Sequence, residues 1–295
     1  LIVSFFVRNS GIVADFISTR LGLPLVLCFR GAELVDAFFG NENFARLNAL
    51  IQKASSIVCV SSHNQKLISL FSTDADSKCI VINNSLEIPI SLPRNLDAKL
   101  RISEITGWHV DDPVVGFIGD LRERKGIRQL LNSLISLQDI SNLRLLIVGP
   151  HIQDPHLLLA YKAQIEQLSQ SNRIYISGQI SHSLAIETIA AADILAMPSL
   201  DDGVPNGLLE GMLCGLCPVV TDVHTDIVEN NVNGLVITET NSLEDILRFL
   251  VNNRDRIREL GNQAAKSILD WTPRDEAESY IKHFQAILNN HKKNC

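Results

Sequence analysis

The sequence lacks the long apolar runs of a membrane protein, since 46% of its residues are hydrophobic and 20% are charged. It also lacks a basic excess. The 26 Lys and Arg residues against 33 Asp and Glu give a net charge of −7, which offers nucleic acid no general attraction. The six cysteines are too scattered for a disulfide scaffold and favour a reducing compartment. We therefore expect a soluble, cytoplasmic protein with no nucleic-acid partner.

One cysteine pair has the spacing of a redox or metal motif. Cys214 and Cys217 form C-x-x-C, but no second Cys or His pair follows at zinc-finger spacing. Pro218 then opens an apolar strand. The redox or metal interpretation is the weaker one, and we predict no metal site.

Short apolar runs alternate with longer helical patterns, which is typical of parallel sheets wrapped by helices. The chain of 295 residues is long enough for two such α/β domains. Predicted strands cover residues 1–6, 24–29, 56–60, 79–82, 114–118, 143–148, 173–177, 194–197 and 218–221. Predicted helices cover residues 12–21, 44–53, 127–137, 157–170 and 184–191, and residues 242–290 are helical in pattern with a break near 271–273.

These elements predict three parts: an N-terminal Rossmann-like domain at 1–98, a C-terminal Rossmann-like domain at 99–272, and a helix at 273–295 that packs back on the N-terminal domain. Residues from 87 to about 113 are either a linker or the first supporting helix of the second domain. The chain begins at Leu1 in the middle of a strand pattern. We therefore expect a fragment whose N-terminal domain is incomplete.

Parallel sheets bind ligands beyond the carboxyl ends of their strands. The loops after Ile118, Val148, Met197 and Thr221 should therefore share one edge of the second sheet. These loops contain the unusual residues of the sequence.

The loop after residue 197 leads into a helix that we expect to begin at Pro205. The N–H groups of residues 206–209 would then lack helical partners and concentrate about half a positive charge, which makes a phosphate site. Asp202 and Glu210 would flank that site, where carboxylates can accept hydrogen bonds from sugar hydroxyls. The alternative is that Asp202 is a helix cap and Glu210 a solvated surface residue.

The segment from Asp202 to Glu210, with the following Gly-Met-Leu-Cys-Gly-Leu-Cys-Pro-Val-Val-Thr-Asp, resembles the E-x(7)-E segment of the family-4 retaining glycosyltransferases. That family has the GT-B fold, with two Rossmann-like domains facing across a cleft. The nucleotide sugar is held mainly by the C-terminal domain, and neither a metal ion nor another cofactor is required. The resemblance implies that Glu210 binds the donor ribose and that Asp202 meets the transferred sugar. Asp202 stands where the family usually has Glu.

Residues 116–126 are similar to the family's strand-end G-R-L-x-x-x-K-G, whose Arg and Lys bind the donor pyrophosphate. Lys125 matches the family lysine, whereas Asp120 occupies the place of the usual Arg. Arg122 or Arg124 can reach the same space, since a guanidinium fork suits phosphate oxygens. For Arg124 a solvated loop is the preferred interpretation.

The resemblance implies a hexosyltransferase that moves a sugar from a nucleotide-diphosphate donor to the hydroxyl of a carbohydrate or lipid-linked acceptor, with retention of configuration. It leaves room for peripheral association of the full-length protein with the inner membrane face. The alternative is a non-catalytic nucleotide-sugar or anion-binding relative. Three departures from the family pattern favour that alternative: Asp120, a loop at His224 that is shorter than in the family, and the absence of the family's N-domain His.

The resemblance assigns catalytic roles to Asp202, Lys125 and Glu210. The expected donor contacts are Gly119, Arg122, Lys125, Gly178, Gly203, Asn206, Gly207, Leu208, Leu209 and Glu210. On the acceptor or phosphate side, Arg30 either binds donor phosphate or an acidic acceptor, or pairs with Glu33.

Overall fold

The computed structural model describes residues 1–7, 9–31, 34, 41–70, 75–86, 95–152 and 154–294, which fall into two compact units. Unit 1 consists of Leu1–Glu87, Asp201–Val204 and Trp271–Cys295, and unit 2 of Ile88–Leu200 and Pro205–Asp270. The boundary predicted between residues 98 and 99 falls inside the helix Asn95–Thr106, which belongs to unit 2. Residues 87–94, the first part of the predicted linker, lie outside the described residues.

The described part of unit 1 contains a four-stranded parallel sheet in the order β1-β2-β3-β4. Its strands are β1 (Ile2–Phe5), β2 (Leu25–Phe29), β3 (Ser56–Cys59) and β4 (Cys79–Val81). The accompanying helices are α1 (Asn9–Leu21), α2 (Asn41–Lys53), α3 (Ser62–Ser69) and α4 (Ala75–Lys78). All four strands were predicted, but α3 and α4 were not, because they are short and mostly polar.

The described part of unit 2 contains a six-stranded parallel sheet in the order β10-β9-β8-β5-β6-β7. Its strands are β5 (Val114–Ile118), β6 (Arg144–Val148), β7 (Ile174–Ile176), β8 (Ile194–Met197), β9 (Cys217–Val220) and β10 (Leu235–Val236). Its helices are α5 (Asn95–Thr106), α6 (Ile127–Ser136), α7 (Pro155–Gln170), α8 (His182–Ile189), α9 (Asn206–Leu213), α10 (Leu243–Asn252) and α11 (Arg254–Ser267). The predicted α/β class, with two Rossmann-like parallel sheets, is confirmed.

Helix starts in unit 2 follow the local sequence. The Asp154 carboxylate caps α7 by accepting from the N–H of His156 at 2.8 Å, and Pro155 takes the first helical position. Ser242 and Asp245 form a capping box at the start of α10. These caps explain why the helical patterns begin where they do.

In the sheet of unit 1, β2 is apolar throughout and is buried on both faces. Leu25, Leu27 and Phe29 belong to one core cluster, and Val26 and Cys28 to another. The second cluster includes side chains of α12 (Pro273–Asn294), namely Tyr280, Phe284 and Ile287. The C-terminal helix therefore supplies the cover for one face of this sheet.

Close packing of helices on the unit 2 sheet depends on glycine. A Cβ at Gly116 in β5 would lie 2.7 Å from both Ala192 and Ile189, so only glycine lets this strand and the end of α8 approach so closely. At the amino edge of the sheet, Lys99 of α5 pairs with Asp193 at 2.8 Å. Among the described residues, no helix has the length and apolar character that a bilayer span requires.

Candidate functional site

The strand order of unit 2 changes direction at β5, which pairs with β6 on one side and with β8 on the other. Such a switch point is where open α/β sheets bind ligands, beyond the carboxyl ends of the strands. The predicted sharing of one edge by the loops after Ile118, Val148, Met197 and Thr221 is confirmed, because β9, β8, β5 and β6 are consecutive parallel neighbours.

The loops after β5 and β8 are held together by two close backbone contacts, Gly126 with Pro198 and Arg124 with Leu200, which we call the lock. Gly126 has a left-handed backbone (φ 76°), and a Cβ there would lie 1.9 Å from the carbonyl oxygen of Pro198. The N–H of Leu200 donates to the carbonyl of Arg124 at 2.8 Å. Lys125 is therefore carried by the segment that joins the two loops at the switch point.

Lys125 ends a 3-10 turn, Glu123–Lys125, that two other elements hold in place. The Glu123 carboxylate accepts from Arg128 of α6 at 2.8 Å and from the hydroxyl of Tyr161 of α7. The hydrogen bond from Arg128, followed by that from Tyr161, holds the pKa of Glu123 below its ordinary value. The turn that presents Lys125 is thus fixed through its first residue.

Arg122 forms an ion pair with Asp120 at 2.8 Å, and both side chains are at least half exposed. The sequence shows that Asp120 carries a negative charge, but it does not show that this carboxylate pairs with Arg122. Surface pairs of this kind contribute at most about 1 kcal/mol. Arg122 can therefore exchange Asp120 for a phosphate at little cost.

Replacing Gly126 by alanine tests this lock. The new methyl group would meet the Pro198 carbonyl in a backbone conformation that side chains disfavour, so we expect the free energy of unfolding to fall by about 2–4 kcal/mol. Gly107→Ala is the matched control, since Gly107 has φ 74° but nothing within 4 Å of its Cβ position. There the expected loss is about 1 kcal/mol. Urea unfolding measures both, and equal losses would contradict the lock.

The first turn of α9 lies directly on the end of β5, because a Cβ at Gly207 would lie 2.6 Å from Cγ2 of Ile118. Pro205 is the residue before the helix and not its first residue, so α9 begins one residue later than predicted. The expectation that all four N–H groups are bare is wrong. Leu208 and Leu209 both donate to the Pro205 carbonyl, at 3.0 and 3.4 Å.

The anion site predicted at the start of α9 therefore has fewer amide donors than expected. Among the described residues, the N–H groups of Asn206 and Gly207 have no hydrogen-bond acceptor. Two amides and the positive end of the helix remain available at the carboxyl edge.

Glu210 lies in the second turn of α9 and is only 5% exposed, so the solvated-surface alternative is wrong. Its Oε1 lies 2.6 Å from Nε2 of His182, the first residue of α8. His182 was not singled out from the sequence. Its position soon after the Gly178-Gln179 turn, at a helix start on the carboxyl edge, is the only signal that pointed to it.

Gly178 continues the same edge beyond β7. It has φ 72° and forms a bridge with Gly149, whose N–H donates to Ser177 Oγ at 3.2 Å. A Cβ at Gly149 would lie 2.3 Å from the carbonyl oxygen of Gly119. Glycines after β5, β6 and β7 thus let the three loops approach one another closely.

Asp202 and Gly203 belong to unit 1, although residues 99–272 were predicted as a single donor domain. A Cβ at Gly203 would lie 2.8 Å from Val60 and 3.1 Å from the Arg30 carbonyl oxygen. Asp202 is 8% exposed, and its carboxylate accepts from the N–H of Gly203 at 3.0 Å.

The neighbours of Asp202 fix the same segment to the carboxyl ends of the unit 1 strands. The side-chain amide of Asn84 donates to the Val204 carbonyl at 2.9 Å. The Asp201 carboxylate lies 3.3 Å from Nε2 of His63. Within unit 1, these two contacts hold the residues on either side of Asp202.

Arg30 follows β2 and contacts α12. Its guanidinium donates to Glu276 at 3.1 Å and to the Tyr280 hydroxyl at 3.4 Å. The other Glu276 oxygen accepts from the N–H and the hydroxyl of Ser85, at 2.9 and 2.5 Å. Glu33, the partner considered from the sequence, lies outside the described residues.

The Glu276 network predicts a pH-dependent stability. Burial raises the pKa of Glu276, but the hydrogen bonds from Ser85 and Arg30 outweigh it and hold the pKa below its ordinary value of 4.5. The network therefore stabilises the fold above pH 4.5, and that stability is lost as the pH falls through the lower folded pKa.

Glu276→Gln should accordingly lower the free energy of unfolding at neutral pH, and the difference from wild type should shrink on acidification. Urea unfolding over a pH series measures this. Glu278→Gln is the control, since Glu278 lies on the same helix in an exposed pair with Arg274. A difference for Glu276→Gln that does not change with pH would contradict the assignment.

Three further residues named in the sequence analysis, His224, Cys214 and Cys217, are buried or partly buried. His224 is fully buried. Burial raises the pKa of the Cys214 and Cys217 thiols to about 12, so both stay protonated and make poor nucleophiles or metal ligands. Among the described residues, no group of three or more His, Cys, Asp or Glu side chains is arranged to hold a metal ion.

A solved structure resembles this chain closely in fold. HepE from Anabaena, determined in complex with UDP-glucose, matches with a TM-score of 0.78 and 20% identity. The match covers 96% of this chain and 78% of HepE. It supports the GT-B fold.

Sequence relatives are named transferases. TuaC of Bacillus subtilis, named as a teichuronic acid biosynthesis glycosyltransferase, is 26% identical over 227 residues, which are 76% of this chain and 53% of TuaC. The N,N'-diacetylbacillosaminyl-diphospho-undecaprenol alpha-1,3-N-acetylgalactosaminyltransferase of Campylobacter jejuni is 21% identical over 242 residues, which are 80% of this chain and 62% of that protein. The chain thus spans less than two thirds of either relative. These names do not favour the non-catalytic alternative.

The family described as Glycosyl transferases group 1 matches residues 99–267, which is more than half of the chain and includes the loops after β5, β7, β8 and β9. On this match, the chain belongs to the Glycosyl transferases group 1 family.

Proposed function

We propose that this protein transfers a hexosyl group from a nucleotide-diphosphate donor to an acceptor hydroxyl, with retention of configuration, as a family-4 member of the group. The observation that carries the proposal is the convergence at the end of β5. The Lys125 turn is locked to the loop after β8 there, and the first turn of α9 packs on Ile118.

The diphosphate is the part of the donor that this convergence suits. The Asn206 and Gly207 N–H groups and the Lys125 ammonium supply positive charge, and Arg122 can add a guanidinium. When the bond between the anomeric carbon and the diphosphate oxygen breaks, negative charge grows on the leaving group. Fixed donors that oppose this charge lower the barrier.

The Glu210 and Asp202 carboxylates accept hydrogen bonds from hydroxyl groups of the donor. Glu210 accepts from the ribose, and Asp202 contacts the transferred sugar, as the resemblance implies. Because glycine has no side chain, the protein backbone can lie close to the donor at Gly119, Gly178 and Gly203. Because Lys125, Arg122 and the helix start can balance the diphosphate charge, the proposed reaction needs neither a metal ion nor another cofactor.

The acceptor is a carbohydrate or a lipid-linked saccharide. The Campylobacter relative's name contains diphospho-undecaprenol, which supports a lipid-linked class. We place the protein in the cytoplasm, with peripheral association at the inner membrane face.

Isothermal titration with UDP, ADP and GDP in the presence of EDTA tests the donor site. We expect micromolar to millimolar binding of at least one of them, without added metal. Binding of none, or binding only with a divalent cation, would overturn the proposal. With the matching sugar nucleotide, proton NMR of the product should show the donor's anomeric configuration, and the opposite anomer would refute retention.

A further inference from the structure

His182 covers the buried carboxylate of Glu210. The histidine side chain is 74% exposed, whereas the glutamate side chain is 5% exposed, and their Nε2 and Oε1 atoms lie 2.6 Å apart. A carboxylate only accepts hydrogen bonds, so the imidazole nitrogen is the donor. One of the two Glu210 oxygens is therefore occupied by a group that is almost free of packing.

The backbone on either side of Glu210 is packed tightly against the sheet. A Cβ at Gly207 would lie 2.6 Å from Ile118, and one at Gly211 would lie 2.5 Å from Leu195, so α9 is pressed against β5 and β8 on either side of Glu210. The position of the Glu210 carboxylate is therefore set mainly by its side-chain torsions. The contact with His182 restricts those torsions.

We propose that His182 is a positioning residue for the donor ribose. Its Nε2–H holds Oε1 of Glu210, so that Oε2 is turned to accept from a hydroxyl of the vicinal diol. This inference rests on the proposed function, because it requires a ribonucleoside diphosphate at the carboxyl edge of unit 2. It adds a residue from α8 to a contact that the resemblance assigns to Glu210 alone.

A purely structural pair would behave differently. A buried carboxylate without a partner is unfavourable, so His182 could serve only to satisfy Glu210. Removing such a partner would weaken all nucleotides alike or change stability. A positioning role affects the ribose hydroxyls selectively, and nucleotides with and without the 2′-hydroxyl separate the two cases.

The experiment is isothermal titration of wild type, His182→Ala and His182→Gln with UDP, ADP and GDP and with their 2′-deoxy forms. Wild type should prefer the ribonucleotide. In His182→Ala the affinity for the ribonucleotide should fall about tenfold, while the 2′-deoxy form changes less than about twofold. Gln carries an amide N–H near the position of Nε2 and should recover most of the preference.

His156→Ala is the matched control, since His156 is also an exposed histidine in the first turn of a helix, α7. It should bind both nucleotide forms like wild type. Equal loss of both forms in His182→Ala, no loss, or a gain in ribonucleotide affinity would overturn the positioning role. A gain would mean that His182 competes with the ribose for Glu210. If wild type binds no nucleoside diphosphate, the proposed function fails first and this inference falls with it.

Discussion

Replacing Lys125 by alanine should lower turnover by about a hundredfold or more, because removing one preorganised donor to a developing anion has an effect of that size. Lys125 is carried by the turn that Glu123, Arg128 and Tyr161 hold in place, at the lock between the loops after β5 and β8. The variant keeps that turn, so its loss should appear in kcat and not in thermal stability. Initial rates with the sugar nucleotide at saturation measure it.

Two further variants serve as controls for Lys125→Ala. Lys162→Ala removes an exposed lysine that pairs with Glu166 on α7 and should leave turnover unchanged. Lys125→Arg keeps the charge but changes its shape and reach, and should recover part of the activity. Near-wild-type turnover in Lys125→Ala would remove Lys125 from the mechanism.

Replacing Glu210 by alanine should reduce kcat/KM for the donor by about a hundredfold. Each charge-assisted hydrogen bond to a ribose hydroxyl is worth about 1.5–3 kcal/mol, and about 1.4 kcal/mol is a factor of ten. The change removes one side chain next to an exposed histidine, so His182 keeps its solvent contact and no buried group is left without a partner.

Glu210→Gln refines the Glu210 test, because an amide keeps the shape but loses the charge and one acceptor. We expect it to lie between wild type and Glu210→Ala. Glu187→Gln, on α8 in an exposed pair with Arg101, is the control and should leave kcat/KM unchanged. If Glu210→Ala lowers kcat/KM as strongly for 2′-deoxynucleotide donors as for ribonucleotide donors, Glu210 does not bind the 2′-hydroxyl of the ribose.

The fold followed from the sequence where burial was complete. β5 and β8 were predicted to the residue, because strands buried on both faces appear as continuous apolar runs. β10 has two residues, too few to show a period. Pairing order is not a property of any one segment, so the switch at β5 became visible only in the structure.

The candidate site was predictable where its residues are contiguous. Lys125 and Gly126 lie in one motif, and the lock to Pro198 explains why glycine follows the lysine. The pair of His182 and Glu210 joins two helices, and nothing local to either residue indicates the other. The N–H groups of Leu208 and Leu209 donate to the Pro205 carbonyl, and the sequence does not specify where that carbonyl points.

The assignment of residues 201–204 to unit 1 affects any attempt to study the two units apart. A continuous piece covering unit 2 would include these four residues without Asn84 and His63, the side chains that hold them in the intact chain. A piece ending at Glu87 would lack them altogether. Asp202 is therefore in its native setting only when both units are made as one polypeptide, and nucleotide binding by a separated unit 2 would report on Lys125, Glu210 and the other unit 2 contacts without a native Asp202.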